Sequence, residues 1–304
     1  MRQKQGYGYF CLILATLFWG GNYLFGKILS NDIVPIVLNY TRWLPAAFIL
    51  LFLFGKNLPT YFPLIRQNWL ILTALALLGI VIFPVFLYQG LQTTTALNAS
   101  IYLAVVPIVV LFLNRLIFAD PIRPMSLFGA ITSLVGVLWL LSHGELRRLY
   151  QLAINQGDLW AIGSALSWAL YCCIIRLKPV SLPNAMMLTA QVSVAMLLFT
   201  PVFIWQYLQL DHNFISKLNS HQYWIISYLI IGPSILSYAL WNYGISIVGG
   251  AKGAAFTNAT PLFAAIFGIL VLNEQLHTYH IVSACLIVIG LWLCNRKARD
   301  EEII

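Results

Sequence analysis

Charge is scarce in this chain of 304 residues: Asp, Glu, Lys and Arg together make up 9% of it, against roughly 25% in an ordinary soluble domain. Hydrophobic residues make up 61%, and the mean hydropathy is +0.84. A water-soluble core of this size could not hide so much apolar surface, so lipid is the expected solvent for most of the chain. Long polar stretches are missing too. The longest are "LSHGELRRLYQLAINQGD" and "QLDHNFISKLNSHQ", too short for a large extramembrane domain. No GxxxxGK[ST] loop occurs, which excludes ATP hydrolysis by that route. No clustered nucleophile or acid–base pair lies within the apolar runs, which speaks against a membrane enzyme. The five cysteines (Cys11, Cys172, Cys173, Cys285, Cys294) fall inside apolar runs without metal-ligand spacing and read as small buried hydrophobes. His277 and His280 are three residues apart, a spacing a metal accepts, but no third ligand accompanies them. The net charge of +8 comes from single Lys and Arg residues with no basic stripe, so no nucleic-acid partner is expected.

What the chain does have is a succession of apolar runs of about 20 residues, each able to cross a hydrocarbon core of roughly 30 Å. Ten are expected, near 7–29, 33–54, 68–91, 96–118, 124–142, 157–177, 184–206, 222–247, 251–272 and 277–294. The N-terminus has a basic start, but its apolar run is long and passes a Gly-Gly pair without a cleavage site, so it is expected to be the first span and not a leader. Ten spans put both termini on one side. If that side is the cytoplasm, its loops hold twelve Lys and Arg against four opposite (Lys27, Arg147, Arg148 and Lys217), with Arg42 inside a span. That bias predicts cytoplasmic termini.

The chain also repeats itself. A shift of 154 places Gly90 on Gly244, Tyr102 on Phe256, Pro107 on Pro261, Asp120 on Glu274 and Gly136 on Gly290. In the first helix of each half a shift of 149 places Gly8 on Gly157 and Trp19 on Trp168. Five spans per half is an odd number, so the second copy is expected upside down. The predicted fold is an all-α integral membrane protein of ten transmembrane helices in two inverted five-helix repeats, 1–149 and 150–304. Secondary transporters use that plan, with the substrate held near the midplane.

Three stretches carry a family resemblance: "ATPLFAAIFGILVLNEQLHTYHIVSACLIVIGLWL", "FWGGNYLFGK" and "NYTRWLPAAFILL". They resemble the EamA-type ten-helix branch of the drug/metabolite transporter superfamily over nearly the whole chain. Two positions depart from its pattern: Asp120 stands in place of Glu, and Ser283 where Gly is usual. The resemblance implies export of a small metabolite from a bacterial inner membrane. The small four-helix multidrug members carry a first-helix Glu, whereas this chain has Trp19, Gly20, Gly21 and Asn22 there, which argues against cation exchange.

The favoured reading is a secondary active transporter of an amino acid or related amphipathic compound working by alternating access. A channel or facilitator, a multidrug exporter and, less favoured, a membrane enzyme are the rivals. The expected partners are a small-molecule substrate and the lipid bilayer, with no cofactor and no metal, and the chain is compatible with a monomer or a homodimer.

Substrate-lining candidates combine apolar walls with a few oriented polar groups: Trp19, Asn22, Tyr23, Arg42, Tyr88, Gln89, Asn98, Tyr102, Trp168, Tyr171, Tyr238, Trp241, Asn242, Lys252, Phe256 and Asn258. Packing between helices is the plainer reading for many of the aromatics. Arg42 is either an anchor for an anionic substrate group, with Gln191 in a comparable place of the second half, or a brace bonded to backbone carbonyls. Lys252 and Asn98 each precede an aromatic by four residues and share its helix face, although Lys252 also reads as a positive-inside anchor. Pro84, Pro107, Pro233 and Pro261 are gating points or static kinks. Asp120 and Glu274 are expected to cap the following helices.

Overall fold

A computed structural model of the chain describes residues 2–94, 96–145, 147, 149, 155–210, 218–272 and 275–296. Glu274 lies outside the described residues, as does the side chain of Asn98. Regular structure among the described residues is helical throughout. A lipid-facing backbone must satisfy its own N–H and C=O groups, which a helix does within one segment.

Among the described residues, nine helices are long and apolar enough to span a membrane, and a further apolar helix, Val106–Phe118, is shorter. In chain order, span 1 is Arg2–Ser30, span 2 Pro35–Phe54 and span 3 Trp69–Thr93. Span 4 is Ala96–Ala104 continued by Val106–Phe118, and span 5 is Pro124–Leu141. Spans 6 to 10 are Gln156–Leu177, Asn184–Leu208, Ser220–Val248, Gly250–Leu270 and Thr278–Asn295. One element was not expected: the connection after span 2 is itself helical, Leu58–Gln67, with none of its residues buried. Its Leu, Phe and Ile residues are interrupted by Pro63, Arg66 and Gln67, so hydropathy alone ends the apolar run at its start.

Capping follows the local sequence. Span 6 opens on a reciprocal box in which Asn155 Oδ1 accepts from the Asp158 backbone and Asp158 Oδ2 from the Asn155 backbone. Asn219 and Gln222 do the same for span 8, the arrangement that satisfies orphan N–H groups at a helix start. Spans 2 and 5 start instead with a proline in the first turn, where its missing N–H costs nothing.

The expected cap at Asp120 is not formed. The residue at the head of span 5 is Arg123, without a side-chain cap bond, and the Asp120 carboxylate pairs with Arg176 at the end of span 6. Pro124 already begins the helix with preset φ, and a guanidinium offers the carboxylate a charged partner.

All four singled-out prolines sit at helix irregularities. Span 3 has a π-type turn over Leu77–Ile82, just before Pro84, and span 8 has one over Ile230–Leu236 that contains Pro233. Span 4 breaks at Val105, two residues before Pro107. Span 9 passes through a 3-10 segment, Ala255–Asn258, before the helix that holds Pro261.

Packing is reciprocal between the two parts of the chain. Span 1 lies against spans 8 and 9, and span 6 against spans 3 and 4; span 2 pairs with span 7, and span 5 with span 10. Small residues permit these contacts. A Cβ on Gly20 would lie 2.8 Å from the Ala264 backbone N, and one on Gly90 2.8 Å from the Gly157 carbonyl. A Cβ on Gly290 would meet the Gly129 carbonyl at 2.6 Å. Close backbone approach of this kind is how helices associate in lipid, where apolar burial gives no drive. The outer faces carry exposed Phe52, Leu116, Leu197 and Leu270, and the largest buried side chains (Trp43, Trp168, Trp241, Tyr88, Tyr171, Tyr238) gather inside.

Candidate functional site

Among the described residues, Asp158 at the start of span 6 and Arg42 within span 2 are the acidic or basic side chains that are fully buried. Arg42 is the eighth residue of span 2, roughly 10 Å from its start at 1.5 Å per residue, and only 2% exposed. Its Nε donates to Ser234 Oγ at 2.9 Å and its Nη1 to Asn22 Oδ1 at 3.0 Å and to Tyr88 Oη. Tyr88 in turn donates to Asn22 Oδ1 at 2.8 Å, and Ser234 donates to the Leu229 carbonyl at 2.7 Å. That carbonyl lies five residues back, beside the π-type turn of span 8. Spans 1, 2, 3 and 8 thus converge on the guanidinium, and all its partners are neutral side chains. Its bonds go to side chains and not to backbone carbonyls.

Around it stands an aromatic cluster. Trp19 lies edge-on to Trp168 with centroids 4.9 Å apart, 5.1 Å from Trp241 and 5.6 Å from Tyr238. Tyr171 stacks on Trp168 at 4.9 Å, and Trp43 meets Tyr238 at 5.1 Å. Edge-to-face and offset packing at these distances is favourable for ring quadrupoles. Trp19 Nε1 donates to the Pro233 carbonyl at 3.1 Å, and Tyr238 Oη donates to the Gly79 carbonyl. Both acceptors lie in the π-type turns, so the irregular backbone of spans 3 and 8 serves the cluster directly.

Spans 1 and 3, and spans 6 and 8, each carry one Tyr–Asn bond: Tyr88 to Asn22, and Tyr171 to Asn242, both at 2.8 Å. Asn22 corresponds to Tyr171 by the 149-residue shift, and Tyr88 to Asn242 by the 154-residue shift. The same bond is present twice with its residues exchanged.

The sequence-derived candidates divide. Trp19, Asn22, Arg42, Tyr88, Trp168, Tyr171, Tyr238, Trp241 and Asn242 are brought together, and Tyr23 is buried on the same helix. Gln89 points away and bonds to Gln92. Tyr102 lines a separate apolar cavity of about 120 Å³ with Val106 and Ala165. Phe256 stacks on Tyr9 at 5.8 Å, and Asn258 donates to Ser133 of span 5. Lys252 lines a cleft of about 490 Å³ at the end of the bundle with Asp120, Arg123 and Arg176. His280 Nδ1 accepts from the His277 backbone N–H at 3.0 Å, a role in starting span 10.

Trp43 and Ser234 belong to the network but were not singled out. Adjacency to Arg42 was the available signal for the first. For Ser234 there was none beyond Pro233 beside it, because its role depends on a turn that lengthens the hydrogen-bond spacing.

An all-helical bundle with lipid-facing outer surfaces, enclosing a buried cluster with one charge and several hydrogen-bonding groups, defines a membrane protein organised around a polar interior. The family model for the EamA-like transporter family matches residues 6–142 and again 155–296. The chain belongs to the EamA-like transporter family, and it is a membrane transporter, not an enzyme. It is 27% identical over 292 residues to an "Uncharacterized transporter" of Archaeoglobus fulgidus, covering 94% of this chain and 96% of that one. It is 25% identical to a chloroplastic WAT1-related protein of Arabidopsis thaliana, covering 93% and 68%. A protein of known crystal structure shares the fold with a TM-score of 0.73 at 16% identity, over 99% of both chains.

Proposed function

We propose that this chain is a secondary active exporter of a small amphipathic metabolite, with amino acids and related compounds in its class. It works by alternating access between two inverted five-helix halves, residues 1–149 and 150–304, in a bacterial inner membrane with both termini cytoplasmic. The observation that carries the reading is the buried site itself: Arg42, Asn22, Tyr88 and Trp19 come from the first half, and Ser234, Trp168, Tyr171, Tyr238, Trp241 and Asn242 from the second. A site shared between halves changes its access when the halves move against each other.

Reciprocal packing supports the repeat: the first helix of each half lies against the third and fourth of the other. Separate family-model matches to 6–142 and 155–296 support the division. Tight burial of the aromatic cluster favours a gated carrier over an open pore, because a conducting path needs continuous wetted space. The four irregular segments beside Pro84, Pro107, Pro233 and Pro261 are where the helices are expected to bend.

Reconstitution into proteoliposomes tests this. Counterflow is measured for a panel of amino acids, purines and cationic drugs. At least one amphipathic metabolite is expected to show counterflow; none moved by folded protein would end the transporter-of-metabolites reading, and uptake of the cationic drugs alone would favour the multidrug rival.

A further inference from the structure

The substrate of this site can be narrowed by charge, given the transporter reading above. Arg42 is buried, and its hydrogen bonds go to Ser234, Asn22 and Tyr88. The described carboxylates are otherwise placed. Asp32 accepts from Gln222, Asp120 pairs with Arg176, Asp158 accepts from Thr94 and the Asn155 backbone, and Glu145 lines a cleft with His143 and His277. None touches Arg42. Of the five N–H donors on a guanidinium, those on Nε and Nη1 are used, while Nη2 donates to nothing among the described residues.

Among the buried polar atoms without partners are three donors of the aromatic cluster, alongside Asn39 Oδ1 and the side-chain amide of Gln191 on spans 2 and 7. Trp43 Nε1, Trp241 Nε1 and Asn242 Nδ2 are buried and make no hydrogen bond to any described residue. Trp43 and Trp241 flank Tyr238 and Trp168 respectively, and Asn242 is held by its oxygen to Tyr171. A buried donor without an acceptor is costly, and so is a buried charge without a counter-charge. One kind of ligand relieves both: an acceptor-only anion such as a carboxylate, whose oxygens accept from the free N–H groups of Nη2.

We infer that the central site is built for an amphipathic carboxylate of net charge −1, anchored through Arg42 Nη2, so that each transport cycle carries one negative charge across the membrane. A zwitterion would neutralise Arg42 but leave its ammonium in the low-dielectric interior without a carboxylate to meet it. A cation would add a second positive charge. Export of a monoanion is favoured by an inside-negative membrane potential; a potential of 100 mV supports a gradient of about 50-fold for one elementary charge.

The test uses the purified full chain in proteoliposomes and three compounds with one benzyl skeleton: 3-phenyllactate (net −1), phenylalanine (zwitterion) and phenylalaninamide (net +1). 3-Phenyllactate is expected to be transported, or to compete, at concentrations at least about tenfold lower than phenylalanine, with phenylalaninamide weakest. A potassium–valinomycin potential, negative in the lumen, is expected to drive 3-phenyllactate out and leave phenylalanine unaffected. Arg42→Gln is expected to abolish the preference for the anion, and Arg42→Lys to keep it with weaker binding, each verified as folded by size exclusion and thermal unfolding. Phenylalanine handled as well as 3-phenyllactate overturns the inference, as does indifference to the potential or a folded Arg42→Gln that keeps the preference. If Arg42→Gln does not fold, the wild-type arms decide alone. If none of the three moves or competes while another compound shows counterflow in the same vesicles, the charge inference fails and the transporter reading stands. If nothing in the wider panel moves, the transporter reading fails first.

Discussion

Arg42 is where single-residue chemistry governs this protein. A lone arginine at the centre of a spanning helix costs about 2.5–3.5 kcal/mol on insertion scales, and here three neutral side chains share the burden. The two Tyr–Asn bonds make a controlled comparison. Tyr171→Phe leaves Asn242 Oδ1 without its donor, a loss of about 1–3 kcal/mol. Tyr88→Phe removes a donor to Asn22 and an acceptor of a charged N–H, where hydrogen bonds contribute about 1.5–3 kcal/mol. Thermal unfolding in detergent is therefore expected to show Tyr88→Phe as the more destabilising of the two. Equal or reversed effects would mean that Arg42 does not depend on Tyr88. Arg42, Trp19 and the Tyr–Asn positions could be picked out in the sequence because polar and aromatic residues stand out in apolar runs. Lys252, Phe256 and Asn258 stand out equally, yet they face the end cleft, Tyr9 and span 5. Residue type flags a position, but helix rotation decides what it faces.

At the scale of elements, glycine contacts set how closely spans approach. A Cβ at Gly290 meets the Gly129 carbonyl and the Ser133 backbone N, both at 2.6 Å, whereas Gly6 has nothing within 4 Å. Gly290→Val is expected to separate spans 5 and 10 and lower stability by about 1–3 kcal/mol, with Gly6→Ala near neutral; a matched pair of melting curves checks this. The prolines make a different prediction. Pro107 lies in the first turn of its helical segment, where the missing N–H removes no bond. Pro107→Ala is therefore expected to leave the unfolding temperature unchanged. If the break at Val105 is a moving joint, the same variant slows counterflow by about tenfold, since a continuous helix resists bending; an unchanged rate identifies a static kink. Helix existence was legible from hydropathy, but the π-type turns at Leu77–Ile82 and Ile230–Leu236 were not. A one-residue lengthening of the hydrogen-bond spacing leaves no mark on composition, and only contacts from Trp19 and Tyr238 reveal its use.

For the whole molecule, orientation and access are the quantities to test. The cation count predicts that Lys56 faces the cytoplasm and Thr278 the opposite side; both are exposed. With exposed Cys285 replaced by Ser, a membrane-impermeant maleimide is expected to label Thr278→Cys in intact cells and Lys56→Cys only after permeabilisation. The reverse pattern inverts the proposed topology. The sequence by itself determined the solvent, the approximate number and extent of the spans, and the duplicated order of Gly, Pro and acidic positions. Those properties depend on composition and spacing along one dimension, which lipid reads directly through hydropathy and helix length. The tertiary structure decided which polar residues meet, the ion pair that replaces the expected cap at Asp120, and the neutral surroundings of Arg42. Each of those depends on the rotation and separation of helices far apart in the chain, which are fixed by small-residue contacts and a few buried hydrogen bonds that come into existence only when the bundle closes.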